Sequence, residues 1–390
     1  MWRHIASNAL TFFTVGLFLL GGVVLWADRS FRAQGPLEQA ICVQVPRGAT
    51  MRRMADDLVE KGAITSAAVF NIGADYAGLS DDLKAGNFLV SEGASMEQIV
   101  DVLTRGGQST CGTEVVYRVG VARTAVQVRE LDPVSGRFVE RLDFVLGEDE
   151  VPVDYIEVRE EPDTRYRVAL AEGVTSWQVV SALNSIDALT EYTDLRPDEG
   201  MLAPDSYEFV PGDTVTSIVD EMQRRQALIL EEEWLNRADD LPVTTPEEAL
   251  ILASIIEKET AVADERGLVS SVFVNRLRRG MRLQTDPTVI YGVTGGEGVL
   301  GRGLRQSELR RETPYNTYVI DGLPPTPIAN PGRAAIRAAL NPDDSDFIFF
   351  VADGTGGHVF AETLAEHNRN VALWREIEAQ QRRDAADGNE

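Results

Sequence analysis

The sequence predicts an α+β protein with an N-terminal transmembrane helix, a small α/β module and a larger mixed α/β domain. Three observations predict it. Residues 9–27 form an uncharged apolar run, about the length a helix needs to cross a bilayer. Short β-branched runs alternate with helical patterns on both sides of residues 109–165. Between Thr245 and Tyr291 lies a helix that is apolar almost all the way round, as in buried core elements. A chain of 390 residues has room for two or three domains with a sizeable core. Its 62 acidic and 37 basic residues give a formal net charge of -25, which argues against nucleic acid as a partner.

The boundaries expected are an N-terminal segment (1–8), the transmembrane helix (9–27), a linker (28–40), the α/β module (41–108), a β-rich insertion (109–165), the larger domain (166–375) and a polar tail (376–390). Arg3 precedes the apolar run, and Trp2 and Trp26 stand where interfacial aromatics belong. The run exceeds a usual signal-peptide h-region, and no close A-x-A site follows, so an uncleaved anchor fits better than a cleaved signal. Arg29 and Arg32 blunt the charge asymmetry, but the acidic remainder favours the N-terminus inside and the bulk outside. Cys42 and Cys111 fit either one disulfide or two unrelated thiols.

In the module, Ile41–Val45 alternates as a strand. Thr50 caps a helix through Met54, Leu58 and Val59, and a second helix covers 70–76. Residues 84–90 form a strand, and Ser95 caps a third helix that stops at Gly106-Gly107. Strands are expected at 115–119, 137–139 and 151–158, with no chemistry visible among them. Beyond them come a strand at 166–170, a helix from Ser176, a short strand after Pro204-Asp205, and a helix from Ser217 through Trp234. The end of the chain offers a glycine-rich loop (292–303), a proline-rich loop (323–331) and a helix at 332–340. A strand at 347–351, a return strand at Val359-Phe360 and a final helix over 363–381 complete it.

The central helix opens with Thr245 as N-cap, Pro246 at its first position and Glu248 three residues after the cap. It closes on Glu257-Lys258-Glu259-Thr260. At about 100° per residue, Glu257 shares the small and polar side with Leu250, Ala253 and Ser254. Glu259 continues the side of Leu252, Ile255 and Ile256. A carboxyl among branched aliphatics is desolvated and holds its proton to higher pH, as a general acid requires. Periodicity alone fits equally well two idle glutamates at the exposed end of a core helix.

A second helix, 264–277, brings Arg276, Arg278 and Arg279 to its C-terminus, where the dipole alone accounts for them. They also suit an anionic substrate. Gln284-Thr285-Asp286-Pro287-Thr288 concentrates polar side chains as a loop that binds a sugar does, or as a turn that caps a helix over 288–291 does. The three histidines, His4, His358 and His367, show no zinc-ligand spacing, and no nucleophile elbow is present. His358 follows a glycine-rich turn, as a turn residue or a substrate contact.

The run IIEKETAVADERGLVSSVFVNRLRRGMRLQTDPTVIYG (255–292) resembles the signature of the endolytic murein transglycosylase (MltG/YceG-like) family. Glu199-Gly200 with 204–207, 313–318, 322–325, and 350–360 followed by His367-Asn368 carry the same resemblance, which covers about 166–375. Residues 41–108 resemble the family's LysM-like module. The β-rich stretch and Ser206, where threonine is expected, depart from the pattern.

The resemblance implies a catalytic YceG-like domain on an inner-membrane anchor, with its bulk in the periplasm. It implies cleavage of the MurNAc–GlcNAc bond of nascent glycan strands to leave a 1,6-anhydro end. Glu259 matches the family's catalytic glutamate, in agreement with the helical-side argument. Gln284, Asp286, Asn316, Tyr318 and His358 are the expected glycan contacts, and Glu257 a secondary acid/base. The chemistry needs neither metal nor cofactor. Peptidoglycan strands and the membrane are the expected partners, with peptidoglycan synthases as further candidates. The competing readings are a hydrolytic muramidase with Glu257 or Asp286 as second carboxylate, and a non-catalytic peptidoglycan-binding scaffold.

Overall fold

A computed structural model of the chain describes residues 2–46, 48–105, 111–161 and 164–387. Its contacts divide into two units, one of Met1–Val115, Gln127–Asp143 and Val151–Arg165, the other of Val116–Val126, Phe144–Glu150 and Tyr166–Glu390.

The first unit begins with α1 (Trp2–Arg32). Its segment Phe13–Arg32 is long and apolar enough to cross a membrane, and leucine, valine and phenylalanine side chains of 13–25 are exposed. A module follows: β1 (Ile41–Val45), α2 (Met51–Glu60), α3 (Ala67–Tyr76), β2 (Gly86–Val90) and α4 (Met96–Arg105). The expected strands and helices are all present here; the expected stop at Gly106-Gly107 lies outside the described residues. Thr50 and Ser66 cap α2 and α3 through their hydroxyls. Ser95 and Gln98 form a reciprocal capping pair before α4, which satisfies two otherwise orphaned donors. β1 and β2 pair antiparallel, with Val43 opposite Phe88, and Phe70, Leu58, Ile99 and Leu103 fill the core between helices and sheet. Cys42 and Cys111 form a disulfide with a Cα–Cα distance of 5.6 Å.

The β-rich stretch yields β3 (Thr113–Val119), β4 (Thr124–Asp132) and β5 (Arg137–Val145). β4 lies outside every expected element, although Val126 and Val128 alternate inward. The strand expected over 151–158 is instead α5 (Val153–Glu160). Tyr155 and Val158, three apart, are the buried pair, and Val153 and Ile156 are exposed. The alternation of valines is therefore incidental, and helical spacing prevails. With β6 (Arg165–Leu170) and β7 (Ser206–Phe209) these strands form one five-stranded sheet in the order β5-β4-β3-β6-β7. β6 and β7 are antiparallel, Tyr166 opposite Phe209.

In the second unit, α6 (Ser176–Asn184) and α7 (Val215–Leu235) precede α8 (Pro246–Glu259). Every residue from Ala249 to Ile256 is buried, packed against α7, α9 (Arg266–Arg278), α10 (Asp286–Thr294) and α12 (Arg333–Leu340). Thr245 accepts from the Glu248 amide. The Glu248 carboxylate in turn accepts from the amide and hydroxyl of Thr244. α10 begins at Asp286, earlier than expected, and Gly295 ends it at φ 65, inside the segment read as a glycine-rich loop. α11 (Gln306–Leu309) is a single turn. β8 (Phe349–Ala352) and β9 (His358–Ala361) form a hairpin, Val351 opposite Val359, and α13 (Leu364–Asp387) continues into the expected polar tail as far as the described residues reach.

Candidate active site

Three segments of the second unit meet at the C-terminal end of α8. The first is α8 itself. Thr260 leaves the helix with extended dihedrals, and its hydroxyl accepts from the Val262 amide at 3.0 Å. Glu259 is therefore the last helical residue. It continues the side of Leu252, Ile255 and Ile256, none of which has any exposure.

The second segment is the start of α10. The Thr285 hydroxyl donates to Oε1 of Glu259. Thr285 is buried and held by two other threonines: its amide donates to Thr317 Oγ1 at 3.0 Å, and the Thr288 and Thr317 hydroxyls lie 2.9 Å apart. The third segment is 316–318, which carries Thr317 and Tyr318. The Tyr318 hydroxyl donates to Asp286 Oδ1 at 2.7 Å.

Burial pushes the Glu259 carboxyl above the usual carboxylate range; the Thr285 hydrogen bond opposes this, and the charge of Asp286 adds to it. His358 and Arg276 pull the other way more weakly. Glu259 keeps partial exposure, so a substrate oxygen has a path to a carboxyl that is otherwise desolvated. A carboxylic acid in such surroundings donates a proton at higher pH than a surface glutamate does.

The two glutamates of Glu257-Lys258-Glu259 occupy different sides of α8, as their 200° separation requires. Oε2 of Glu257 accepts from the Gly332 amide at 2.9 Å, among Glu172, Arg266 and Lys258, and burial also raises its pKa. Lys258 donates to the Gly173 carbonyl at 3.2 Å. Glu199 is a further buried carboxyl, raised by desolvation, which accepts from the Ser176 amide at 2.8 Å and the Tyr291 hydroxyl at 3.1 Å.

Of the expected glycan contacts, Asp286 and Tyr318 stand beside Glu259 as a hydrogen-bonded pair. Gln284 is exposed at φ 50, one residue before Thr285. Asn316 is fully buried. Its amide donates to the carbonyls of Glu308, Leu309 and Arg311 and accepts from the Tyr318 amide. With its side chain hydrogen-bonded to the backbone on both its donor and acceptor sides, Asn316 shapes the loop that presents Thr317 and Tyr318. His358 is fixed by Glu265, which accepts from its amide at 2.9 Å and pairs with Nδ1 at 2.8 Å.

Thr285, Thr317 and Glu265 are site residues that sequence reasoning did not single out. Thr285 was legible only as one polar residue before a proline-started helix. Arg276, expected near a helix C-terminus, stands in the last turn of α9 and is buried there. It donates to the carbonyls of Leu283 and Ile348 and lies over the Phe349 ring at 5.5 Å, so it ties the Thr285 segment to the hairpin.

The YceG-like family model matches residues 43–140 and 144–373, which include most of the β-rich stretch. The chain is 27% identical over 357 residues to an endolytic murein transglycosylase of Bacillus subtilis, covering 90% of this chain and 89% of that one. It is 28% identical over 342 residues to an endolytic murein transglycosylase of Streptococcus pneumoniae, covering 85% of this chain but 58% of that longer protein. A solved yceG-like protein of Listeria monocytogenes aligns with 85% of this chain and 99% of its own at 25% identity, with a TM-score of 0.41. The chain therefore belongs to the YceG-like family, and the match runs through the Glu259 helix, the Thr285 segment and the His358 hairpin alike.

Proposed function

We propose that this protein is a peptidoglycan lytic transglycosylase that cuts inside nascent glycan strands, with Glu259 as its acid and base. The observation that carries the reading is the Glu259 carboxyl, desolvated, partly open to the surface and oriented by Thr285. The names of the relatives agree with it.

Glu259 gives its proton to the glycosidic oxygen between MurNAc and GlcNAc, and the C1–O bond breaks. Positive charge develops at C1 and the ring oxygen of MurNAc. The C6 hydroxyl of the same sugar bonds to C1, and its proton passes to the ionised Glu259 carboxylate. The products are a 1,6-anhydroMurNAc end and a free GlcNAc hydroxyl. No water is consumed, and one carboxyl serves both steps. Asp286, held by Tyr318, stands close enough to stabilise the developing positive charge and to hydrogen-bond the sugar, with exposed Gln284 as a further contact. His358, held by Glu265 and close enough to influence Glu259 electrostatically, is the remaining proposed contact.

Residues 9–27 would anchor the chain in the inner membrane, residues 1–8 lying in the cytoplasm. The linker 28–40, the LysM-like module 41–108, the β-rich segment 109–165, the catalytic domain 166–375 and the C-terminal segment 376–390 would lie in the periplasm. The apolar helix and the disulfide support this placement, since disulfides persist in oxidising compartments. Anchored there, the enzyme would limit strand length beside the peptidoglycan synthases.

A second reading, hydrolysis, is favoured by Asp286, the carboxylate whose charge reaches Glu259. Mass spectrometry of the products from uncross-linked strands separates the two: anhydro ends support the transglycosylase, reducing ends the muramidase. Glu259→Gln should lower the rate by about 10²–10⁴-fold, the usual share of general acid–base catalysis. Full activity in that variant would overturn the assignment, and cleavage by neither protein would favour the scaffold.

A further inference from the structure

A groove of about 260 Å³ lies between the outer face of α6 and the turn 192–196. α6 buries Val179 and Leu183 and turns Trp177, Ser181 and Asn184 outward, at the i, i+4, i+7 spacing of one helical stripe. Across the groove stands Tyr192, 78% exposed, with Trp177 at 37%. Among the described residues neither ring is stacked, hydrogen-bonded or under a cation.

The turn that carries Tyr192 is pinned on both sides. Thr190 donates its amide to the Asp213 carbonyl at 2.8 Å and accepts from the Val215 amide. Thr193 exchanges two hydrogen bonds with the Asn184 amide group. Between these anchors Glu191 sits at φ 67, a strained conformation for a non-glycine residue. Tyr192 is thus exposed on a rigid support, and a pre-set aromatic face loses little freedom on binding.

α10 runs from the Glu259 site toward this groove: its N-terminal turn carries Asp286, and the residues just past its C-cap touch Arg196 and Thr175. Asp286, beside Glu259, lies on one helical face with Ile290 and Val293, all at least partly exposed. The line leads past the C-cap to Glu297, which is ion-paired with Arg196 of the groove at 3.1 Å. The Thr175 hydroxyl, at the start of α6, donates to the Gly296 carbonyl at 2.6 Å. α10 spans nine residues, roughly 13 Å at 1.5 Å each, so a polymer that occupies the site and follows this face arrives between Trp177 and Tyr192.

We propose that the groove is a distal subsite for the glycan strand, with Trp177 and Tyr192 stacking on the C–H faces of amino sugars and Ser181 and Arg196 meeting their hydroxyl and amide groups. This rests on the transglycosylase reading and names how that site would grip a long substrate. Sugars suit such a groove because one ring offers both an apolar face and a polar rim, as the aromatic and polar linings here require.

The test uses the full-length protein in detergent, with long uncross-linked glycan strands and the shortest oligosaccharide that the enzyme cleaves. Trp177→Ala and Tyr192→Ala should each raise KM for strands about tenfold, the size of one aromatic contact, with kcat unchanged. Turnover of the short substrate should be unaffected. Trp177→Phe, which keeps a stacking face, should restore most of the affinity. Exposed Tyr192 keeps the test readable if Trp177→Ala harms folding. In Glu259→Gln protein the same changes should weaken binding of fluorescently labelled strands by the same factor. An unchanged KM on strands, or equal losses on both substrates, would overturn the subsite. Strand binding that depends on Trp177 and Tyr192 without any cleavage by wild type would sustain the subsite and defeat the transglycosylase reading.

Discussion

The Thr285 hydroxyl donates to Oε1 of Glu259, and Thr285 is itself fixed by Thr317 through its amide. The Glu259 carboxyl is oriented by the hydroxyl of a buried threonine. This bond favours the ionised form and opposes the effect of burial, so in the proposed mechanism it would balance the carboxyl between acid and base. Thr285→Val should cut kcat by about 10–100-fold, as a lost or misplaced orienting group does, and move the alkaline limb of the pH–rate profile upward. Thr285→Ser should keep most of the activity. A Thr285→Val enzyme with a lower kcat but an unmoved profile would show that the bond only places the side chain.

The pH dependence of stability follows from three buried carboxyls. Glu199, Glu257 and Glu259 each have a pKa raised above the ordinary 4.5, with desolvation as the largest cause. A carboxyl with a raised folded-state pKa binds more protons folded than unfolded, so its contribution is full below the unfolded pKa and is lost as pH rises through the folded value. The second unit should therefore lose stability as pH climbs from about 4.5 toward neutral, with a slope of up to about 1.4 kcal/mol per pH unit from each group. Glu259→Gln removes one of these three contributions. Thermal unfolding should find this variant more stable than wild type near pH 7 and no more stable near pH 4. Parallel pH curves for the two proteins would mean that Glu259 is not desolvated.

Asn316 and Gln284, both expected to touch glycan, should behave in opposite ways. Asn316→Ala strips the donors from three carbonyls in a buried loop; a buried group left unsatisfied costs about 1–3 kcal/mol. Melting temperature should fall by several degrees, and activity with it. Gln284→Ala changes an exposed side chain and should leave the melting temperature in place while raising KM for strands a few-fold. Alanine at 284 with an unchanged KM would remove Gln284 from the contact set.

Much of this site was legible in the sequence because it rests on local periodicity. The 200° between Glu257 and Glu259 is fixed by helix geometry, and the aliphatic side that receives Glu259 is written in Leu252, Ile255 and Ile256. Thr245, Thr50 and Ser95 announced their helices by capping chemistry. What could not be read depends on contacts between residues far apart in the chain. The Thr285–Thr317 bond joins residues 32 positions apart. Asn316 was expected among the glycan contacts; its bonds to the carbonyls of Glu308, Leu309 and Arg311 reach only five to eight residues, but they follow the irregular path of a loop, which periodicity does not report. Arg276 stands at a helix end as expected, but its burial and its bonds to the carbonyls of Leu283 and Ile348 were not written in that position. In α5 the valine alternation competed with a helical pair, Tyr155 and Val158, and burial chose between them. Cys42 and Cys111 were ambiguous because sequence separation carries no distance.

That disulfide makes the last prediction. Cys42 lies in β1 and Cys111 follows α4, so the closed loop contains α2, α3, β2 and α4, the two cysteines standing 69 positions apart. Constraining an unfolded loop of this length is worth about 4 kcal/mol in the chain-entropy account. A module of this size has little margin of its own, so the constraint is a large share of its stability. The Cys111 amide also donates to the Asn87 carbonyl at 3.1 Å, so the bridge holds its segment beside β2. Reduction should therefore raise hydrogen exchange in α2 and α4 by up to about 10³-fold, the factor corresponding to that energy. Exchange in α8, the core helix of the other unit, serves as the internal control and should not change. The same increase should appear without reductant in the Cys42→Ser/Cys111→Ser protein. Cysteines that alkylate fully before reduction, or α2 and α4 protected equally in both states, would show that the module stands without its bridge.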